Sequence, residues 1–232
     1  MIIEELKHQL NGLSIEDQLR RLSSAFQGKI IFTTSLGIED QLITHLIFKN
    51  DINIKVATLD TGRLFSQTYD LLSNTIIRYG KKIDIYFPDN EDVEKLVTEK
   101  GPFSFYKSVG NRKECCGIRK VVPLNRALTG IECWISGIRA DQSGNRNQMD
   151  WLEYDEDKNL YKFHPLFNWS LDKVTRFVKE NNVPYNSLHD KGYVSIGCQP
   201  CTRAIKPGED FRDGRWWWEN DGPKECGLHN KD

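Results

Sequence analysis

Six cysteines stand at positions 115, 116, 133, 198, 201 and 226, and four of them form two close pairs. Cys115 and Cys116 are adjacent in the run Cys115-Cys116-Gly117-Ile118-Arg119-Lys120, and Cys198-Gln199-Pro200-Cys201 supplies a CxxC. A CxxC alone is ambiguous among a redox dithiol, a zinc knuckle and a cluster ligand. Adjacent side chains diverge, so a vicinal pair is poorly placed to chelate one tetrahedral zinc ion. A polynuclear cluster offers each thiolate its own iron, and four thiolates are what a [4Fe–4S] cluster takes. Structural zinc and a vicinal disulfide are the competing readings that spacing leaves open. Cys133 lies in the apolar run 131–138 and reads as a buried packing thiol. Cys226, in Glu225-Cys226-Gly227-Leu228-His229, sits in a polar stretch where packing gives no reason for a cysteine. Lys224 and His229 beside it would favour the reactive thiolate; an incidental thiol is the plainer alternative.

A second set of residues suits anions. The segment Thr33-Thr34-Ser35-Leu36-Gly37-Ile38-Glu39-Asp40 follows an apolar run and opens a helical pattern, so hydroxyls, a glycine and unpaired N–H groups gather at a helix start. It is not a Walker A loop, since no Gly-Lys-Ser/Thr follows, and a capped strand-to-helix turn explains it equally well. Asp60, in Leu59-Asp60-Thr61-Gly62-Arg63, ends the next apolar run and suits hydrogen bonds from a ribose or an adenine; an Asp-capped turn is the plainer alternative. Arg119, Lys120, Arg139, Arg203, Arg212 and Arg215 lie close to these motifs in sequence. The whole chain carries 32 Lys and Arg against 33 Asp and Glu, a net charge of −1. Cations concentrated in motifs of a neutral chain fit a small polyanion, because the planar guanidinium donates bidentately to phosphate and sulfate. The same balance argues against a general nucleic-acid binder.

These residues need a scaffold, and the hydrophobic pattern specifies one. Runs at 29–33, 54–59, 82–87 and 132–137 read as strands. Helical periods at 39–48, 64–79, 91–100 and 170–181 alternate with them, which implies parallel βαβ units with right-handed crossovers. One or two amphipathic helices precede them, the second capped by Ser14 with Ile15, Leu19 and Leu22 on one face. The chain has 232 residues, 38% hydrophobic and 28% charged, enough to bury one α/β core. No run approaches the ~20 apolar residues of a membrane span. The first ten residues show no secretory signal, so a cytoplasmic protein is expected. Residues 206–232 lose apolar periodicity and carry Trp216-Trp217-Trp218, which reads as a mobile appendage docked by its tryptophans.

Taken together, the sequence resembles the assimilatory phosphosulfate reductases, specifically their cluster-containing adenylyl-sulfate (APS) reductase branch. The marks are TTSLGIEDQ, TLDTGRLF, CCGIRK, SGIRADQS, SIGCQPCTRA, GRWWW and ECGLH, spread from Phe32 to His229. Ser-Leu-Gly-Ile replaces the Ser-Phe-Gly-Ala frequent in that family, a mild change. The resemblance implies an α/β, parallel-sheet fold of the adenine nucleotide α-hydrolase-like (PP-loop) type, with a nucleotide-binding and iron–sulfur domain over 1–206 and a mobile tail over 207–232. It implies a [4Fe–4S] cluster on Cys115, Cys116, Cys198 and Cys201, and Cys226 as nucleophile. Ser35, Asp60, Lys120, Arg139, Arg212 and Arg215 would line the nucleotide and phosphosulfate site. The expected activity is reduction of APS to sulfite and AMP, with thioredoxin or a similar dithiol protein as reductant, through an S-sulfocysteine. Reductases dedicated to 3′-phospho-APS (PAPS) lack the CC and CxxC pairs, which favours APS while leaving dual use open. An ATP pyrophosphatase would need a Ser-Gly-Gly-x-Asp-Ser loop, and a non-enzymatic iron–sulfur protein leaves Cys226 without a purpose. Neither nucleic acid nor membrane is implied, and a homo-oligomer is neither required nor excluded.

Overall fold

A computed structural model of the chain describes residues 2–142 and 149–219. The elements run α1 (Ile3–Leu10), α2 (Ile15–Ala25), β1 (Ile30–Thr34), α3 (Ile38–Lys49), β2 (Lys55–Leu59), α4 (Ser66–Tyr79), β3 (Asp84–Tyr86) and α5 (Asn90–Lys100). They continue with α6 (Val109–Cys116), a π-helical turn (Gly117–Val121), α7 (Val122–Ala127), β4 (Cys133–Ile135), β5 (Leu152–Asp155), β6 (Leu160–Phe163) and α8 (Leu171–Glu180). The six strands are ordered β3-β2-β1-β4-β6-β5. β1 pairs parallel with β2 and β4, and β4 parallel with β6. The expected parallel α/β sheet is therefore present. The β5–β6 hairpin at its edge is antiparallel, a step that the apolar runs do not imply.

The chain divides into two compact units. The first comprises 1–58, 67–84 and 130–186, and the second 59–66, 85–129 and 187–232, in each case for the described residues. In the first unit, β1 and β4 alternate Phe32, Cys133 and Ile135 into an apolar core with Leu42, Ile43 and Phe163. Strands buried on both faces need continuous apolar runs, which is what IIFTT and CWI provide. Cys133 is wholly buried, and burial pushes its thiol far above the usual range. Ser14 caps α2 by accepting the Asp17 amide at 3.1 Å, and Leu19 and Leu22 face the core, as expected.

Helix α3 departs from the amphipathic reading. It is buried on nearly every side, including Gln41, Thr44 and His45. Most of their polar atoms find internal partners: Gln41 Nε2 donates to Thr75 Oγ1 and to the Pro184 carbonyl, and His45 Nδ1 lies 2.7 Å from the Tyr79 hydroxyl, while Gln41 Oε1 is buried without a partner among the described residues. A buried polar residue costs little once hydrogen-bonded. Among the described residues no helix is long and apolar enough to cross a membrane.

Candidate active site

In the first unit, the loop between β1 and α3 is closed by a carboxylate of its own. The Ser35 amide and hydroxyl donate to Asp40 Oδ2 at 2.5 and 2.6 Å. Burial pushes Asp40 up to about 6, partly offset by the Ser35 hydrogen bonds. Leu36 takes a left-handed conformation (φ 61°), and its amide donates to Thr34 Oγ1 at 3.0 Å. The tightness of this corner depends on Gly137 after β4: a Cβ there would lie 2.1 Å from Asp40 Oδ1. Ser35 itself remains exposed. Arg139 is buried beneath the same corner. Its Nε donates to Glu39 Oε1 at 2.9 Å, and its Nη1 to Asp141 and the Trp169 carbonyl. Gln142 Nε2 donates to the same Glu39 oxygen. Ser35 and Arg139 thus belong to one hydrogen-bonded neighbourhood whose carboxylates, Glu39 and Asp40, were read only as part of the loop motif.

The second unit gathers the paired cysteines. Cys115, Cys116, Cys198 and Cys201 line one cavity together with Lys120, Arg119 and Arg63. α6 and the π turn deliver Cys115, Cys116, Arg119 and Lys120 from one continuous stretch. A short 3-10 turn, Gln199–Cys201, begins at Cys198 and brings the CxxC pair to the same cavity. The Cys198 carbonyl accepts from the Cys201 amide and from Thr202 Oγ1. Thr61 Oγ1 lies 3.3 Å from Cys198 Sγ, and Arg119 Nη1 donates to the Thr61 carbonyl at 2.7 Å. Thr61 and Arg63 stand in the TLDTGRLF motif beside Asp60, and residue type alone marks neither of them.

The thiols occupy unlike electrostatic settings. Burial opposes ionisation of Cys198, yet Lys120, the Thr61 hydroxyl, Arg215 and Arg119 carry its thiol below the usual range. Cys201 is pushed up to about 12 by burial and by the neighbouring Cys198, and burial also raises Cys115. No disulfide joins any of the five described cysteines. Among the described residues, no three His, Cys, Asp or Glu side chains converge closely enough to hold a single metal ion. What the site presents is four thiols around a cavity that Arg119 also lines, with further unpartnered donors in the same unit. The Nε of Arg119 and Arg215 and the indole N–H of Trp216 and Trp218 are buried without a hydrogen-bond acceptor among the described residues. Such a donor set fits an electron-rich group with several acceptor atoms, as thiolates and sulfides are.

Arg215 is buried and stacks 4.7 Å from the Trp216 ring centre; Arg212, half-buried, lies 5.8 Å from it. Gly197 makes room for Arg215, since a Cβ there would fall 2.4 Å from its Nη2. Asp60, also in this unit, accepts the Gly62 amide at 2.8 Å, so the capped turn expected as its alternative is present. The stretch after residue 206 does not begin as a loose appendage. The Thr202–Arg215 bridge and the fully buried Trp216 pack it down to Glu219. Cys226 lies outside the described residues.

Comparisons with known proteins agree with this arrangement. Residues 29–204 match the phosphoadenosine phosphosulfate reductase domain family. The chain is 49% identical over 224 residues to the adenosine 5′-phosphosulfate reductase of Sinorhizobium fredii, covering 97% of this chain and 89% of that one. It is 48% identical over 221 residues to the enzyme of the same name from Rhizobium meliloti, covering 95% and 83%. The crystal structure of phosphoadenylyl-sulfate (PAPS) reductase from Candida auris, a phosphate complex, superposes with a TM-score of 0.73 at 28% identity, covering 88% of this chain and 96% of that one. Yeast FAD synthetase, at 15% identity and a TM-score of 0.54 over 86% of this chain and 73% of that one, shares the fold alone. With its parallel sheet of the adenine nucleotide α-hydrolase-like type, and with both cysteine pairs on one cavity, the chain belongs to the phosphosulfate reductase family.

Proposed function

We propose that the protein reduces adenosine 5′-phosphosulfate to sulfite and AMP in the cytoplasm, in sulfate assimilation, with a thioredoxin-like dithiol protein as electron donor. The observation that carries this reading is the meeting of four cysteines and the cations Arg119 and Lys120 at one cavity, in a chain about half identical to proteins named for that reaction. Cys115, Cys116, Cys198 and Cys201 would hold a [4Fe–4S] cluster. A cluster held there would supply a fixed charged centre beside Arg119 and Lys120. Electron transfer to sulfur is assigned to thiols instead.

The nucleotide and its phosphosulfate are assigned to Ser35, Asp60, Lys120, Arg139, Arg212 and Arg215. The mixed anhydride is a strong sulfuryl donor whose negative charge repels an anionic nucleophile. Cationic side chains offset that repulsion and stabilise the departing AMP. The Cys226 thiolate attacks sulfur, an S–S bond forms, and the S–O bond to phosphate breaks with its electron pair leaving on AMP. A dithiol protein then attacks Cys226 Sγ and expels sulfite with the S–S electron pair. Its second thiol resolves the mixed disulfide, so the dithiol is oxidised and Cys226 returns as thiol.

The test is intact-mass analysis of protein mixed with APS without reductant. One sulfo group per chain, stoichiometric AMP and loss of the adduct in Cys226→Ser are expected, with about four irons per chain. An adduct on Cys133, or normal turnover by Cys226→Ser, would overturn the mechanism. A kcat/KM favouring PAPS by more than about tenfold, ~1.4 kcal/mol, would overturn the substrate.

A further inference from the structure

Trp216 is the most confined side chain near the cysteine cavity. It is fully buried, has a left-handed backbone (φ 43°) and has the guanidinium groups of three arginines near its ring. Positive φ is a rare state for a bulky residue, and such strain persists only where surrounding contacts over-determine it. Arg212 and Arg215 are two of those cations and are already assigned to the anion. The third, Arg112, stacks 4.6 Å from the ring centre and has no such role. Its Nε and Nη2 donate to the two carboxylate oxygens of Glu219, each at 2.9 Å. Both side chains are almost completely enclosed, Arg112 at 2% and Glu219 at 6% exposure.

We infer that Trp216, Arg112 and Glu219 form a clasp that fixes the origin of the seven-residue stretch ending in Cys226. They would act as positioning residues, and the inference rests on Cys226 being the nucleophile. A bidentate guanidinium–carboxylate pair enforces direction as well as proximity. Burying such a pair is a costly way to gain stability alone, since apolar residues of equal volume often serve as well. What the pair adds is a fixed point in the chain. Seven residues reach at most about 25 Å when extended, which bounds where the thiol can be. With the clasp open, the nearest anchor becomes Trp218, packed on the Phe105 and Tyr106 rings eight residues from the thiol. The change in length is small, so what the clasp supplies is orientation, and its loss lowers the effective thiol concentration.

The experiment measures the single-turnover rate of Cys226 sulfonation by intact mass, at saturating APS without reductant, in the cluster-loaded protein. Glu219→Gln, which keeps shape and one acceptor, should slow sulfonation fivefold or more. APS affinity and cluster absorbance should stay within twofold of wild type, a split that general destabilisation would not give. Arg112→Lys, which keeps charge and ring contact but loses the fork, should fall between the two. A Glu219→Gln rate less than fivefold below wild type overturns the clasp. If that variant loses its cluster, Arg112→Lys decides on a twofold threshold. Failure of the underlying mechanism looks different: wild type itself would form no adduct, or Cys226→Ser would still form one, and the clasp would fall with it.

Discussion

Ser35 donates twice to Asp40, a carboxylate in the first turn of α3. Burial raises Asp40 from 3.8 to about 6, and the folded state therefore binds a proton that the unfolded chain releases. The sign follows from that difference. The contribution is fully present below about pH 4, is lost as pH rises through about 6, and amounts to on the order of 3 kcal/mol. Asp40→Asn, which keeps an acceptor but cannot ionise, should lack this slope. Denaturation midpoints from pH 4 to 7 should show the variant gaining on wild type as pH rises; parallel curves would refute the argument. Gly197 tests the second unit in the same spirit. Alanine there meets the whole Arg215 guanidinium, at 2.4 to 2.8 Å, and the side chain can yield where backbone could not. The fold should survive, with cluster content unchanged. KM for APS should rise about tenfold or more, the worth of one charge-assisted hydrogen bond of roughly 1.5–3 kcal/mol. An unchanged KM would remove Arg215 from the anion site.

At the scale of elements, the turn between α6 and α7 deserves a specific test. Val122 donates to the Gly117 carbonyl, a five-residue spacing, where an α-helix would use Ile118. Pro123 follows directly. In a continuous α-helix its ring would press on the Arg119 carbonyl and its missing N–H would leave that carbonyl unpaired. Widening to a π turn relieves both, and such turns concentrate at functional sites. The extra residue rotates what lies before it by about 100° relative to what lies after, and Arg119 and Lys120 lie within the turn itself. Pro123→Ala should let the helix run on. Circular dichroism should show equal or greater helix content while kcat/KM falls at least tenfold; retained activity would show that the π turn does not depend on the proline. None of this was visible as hydrophobic pattern. Only Arg112 and Cys116 of α6 are buried, so the helix has no apolar stripe to read.

For the whole molecule, the two units differ in what holds them together. The core of the first contains Leu, Ile, Val and Phe from every layer. The buried apolar cluster around the cysteines of the second is Phe105, Cys116, Cys198, Cys201 and Trp216, three thiols among five residues. The unit also buries Phe65, Leu96, Leu124 and Leu188, so a group bound by those thiols would add to the cohesion of the part around them, since ligand binding to the folded state stabilises it directly. Chelating iron from the purified protein should abolish hydrogen-exchange protection in 109–127 and 198–218 and leave β1, β4 and α3 protected. Equal loss in both units, or none, would count against a structural contribution from the cluster.

The periods of the apolar runs were sufficient for the parallel sheet, because strands buried on both faces must be continuously apolar and crossover helices must follow them. Residue types and spacing likewise carried the cysteine pairing at one cavity and the packing role of Cys133, since a thiol's chemistry is local. What sequence could not supply was partnership. That Asp40 answers Ser35, that Glu39 and Asp141 hold Arg139, and that Glu219 meets Arg112 are matters of residues up to 107 positions apart. Nothing in the composition of either partner names the other. The β5–β6 hairpin and the buried surroundings of α3 escaped for the same reason: each depends on what the rest of the chain packs against it. The function was legible through the family resemblance that the motifs carry in combination, and tertiary structure decided wherever two residues had to meet.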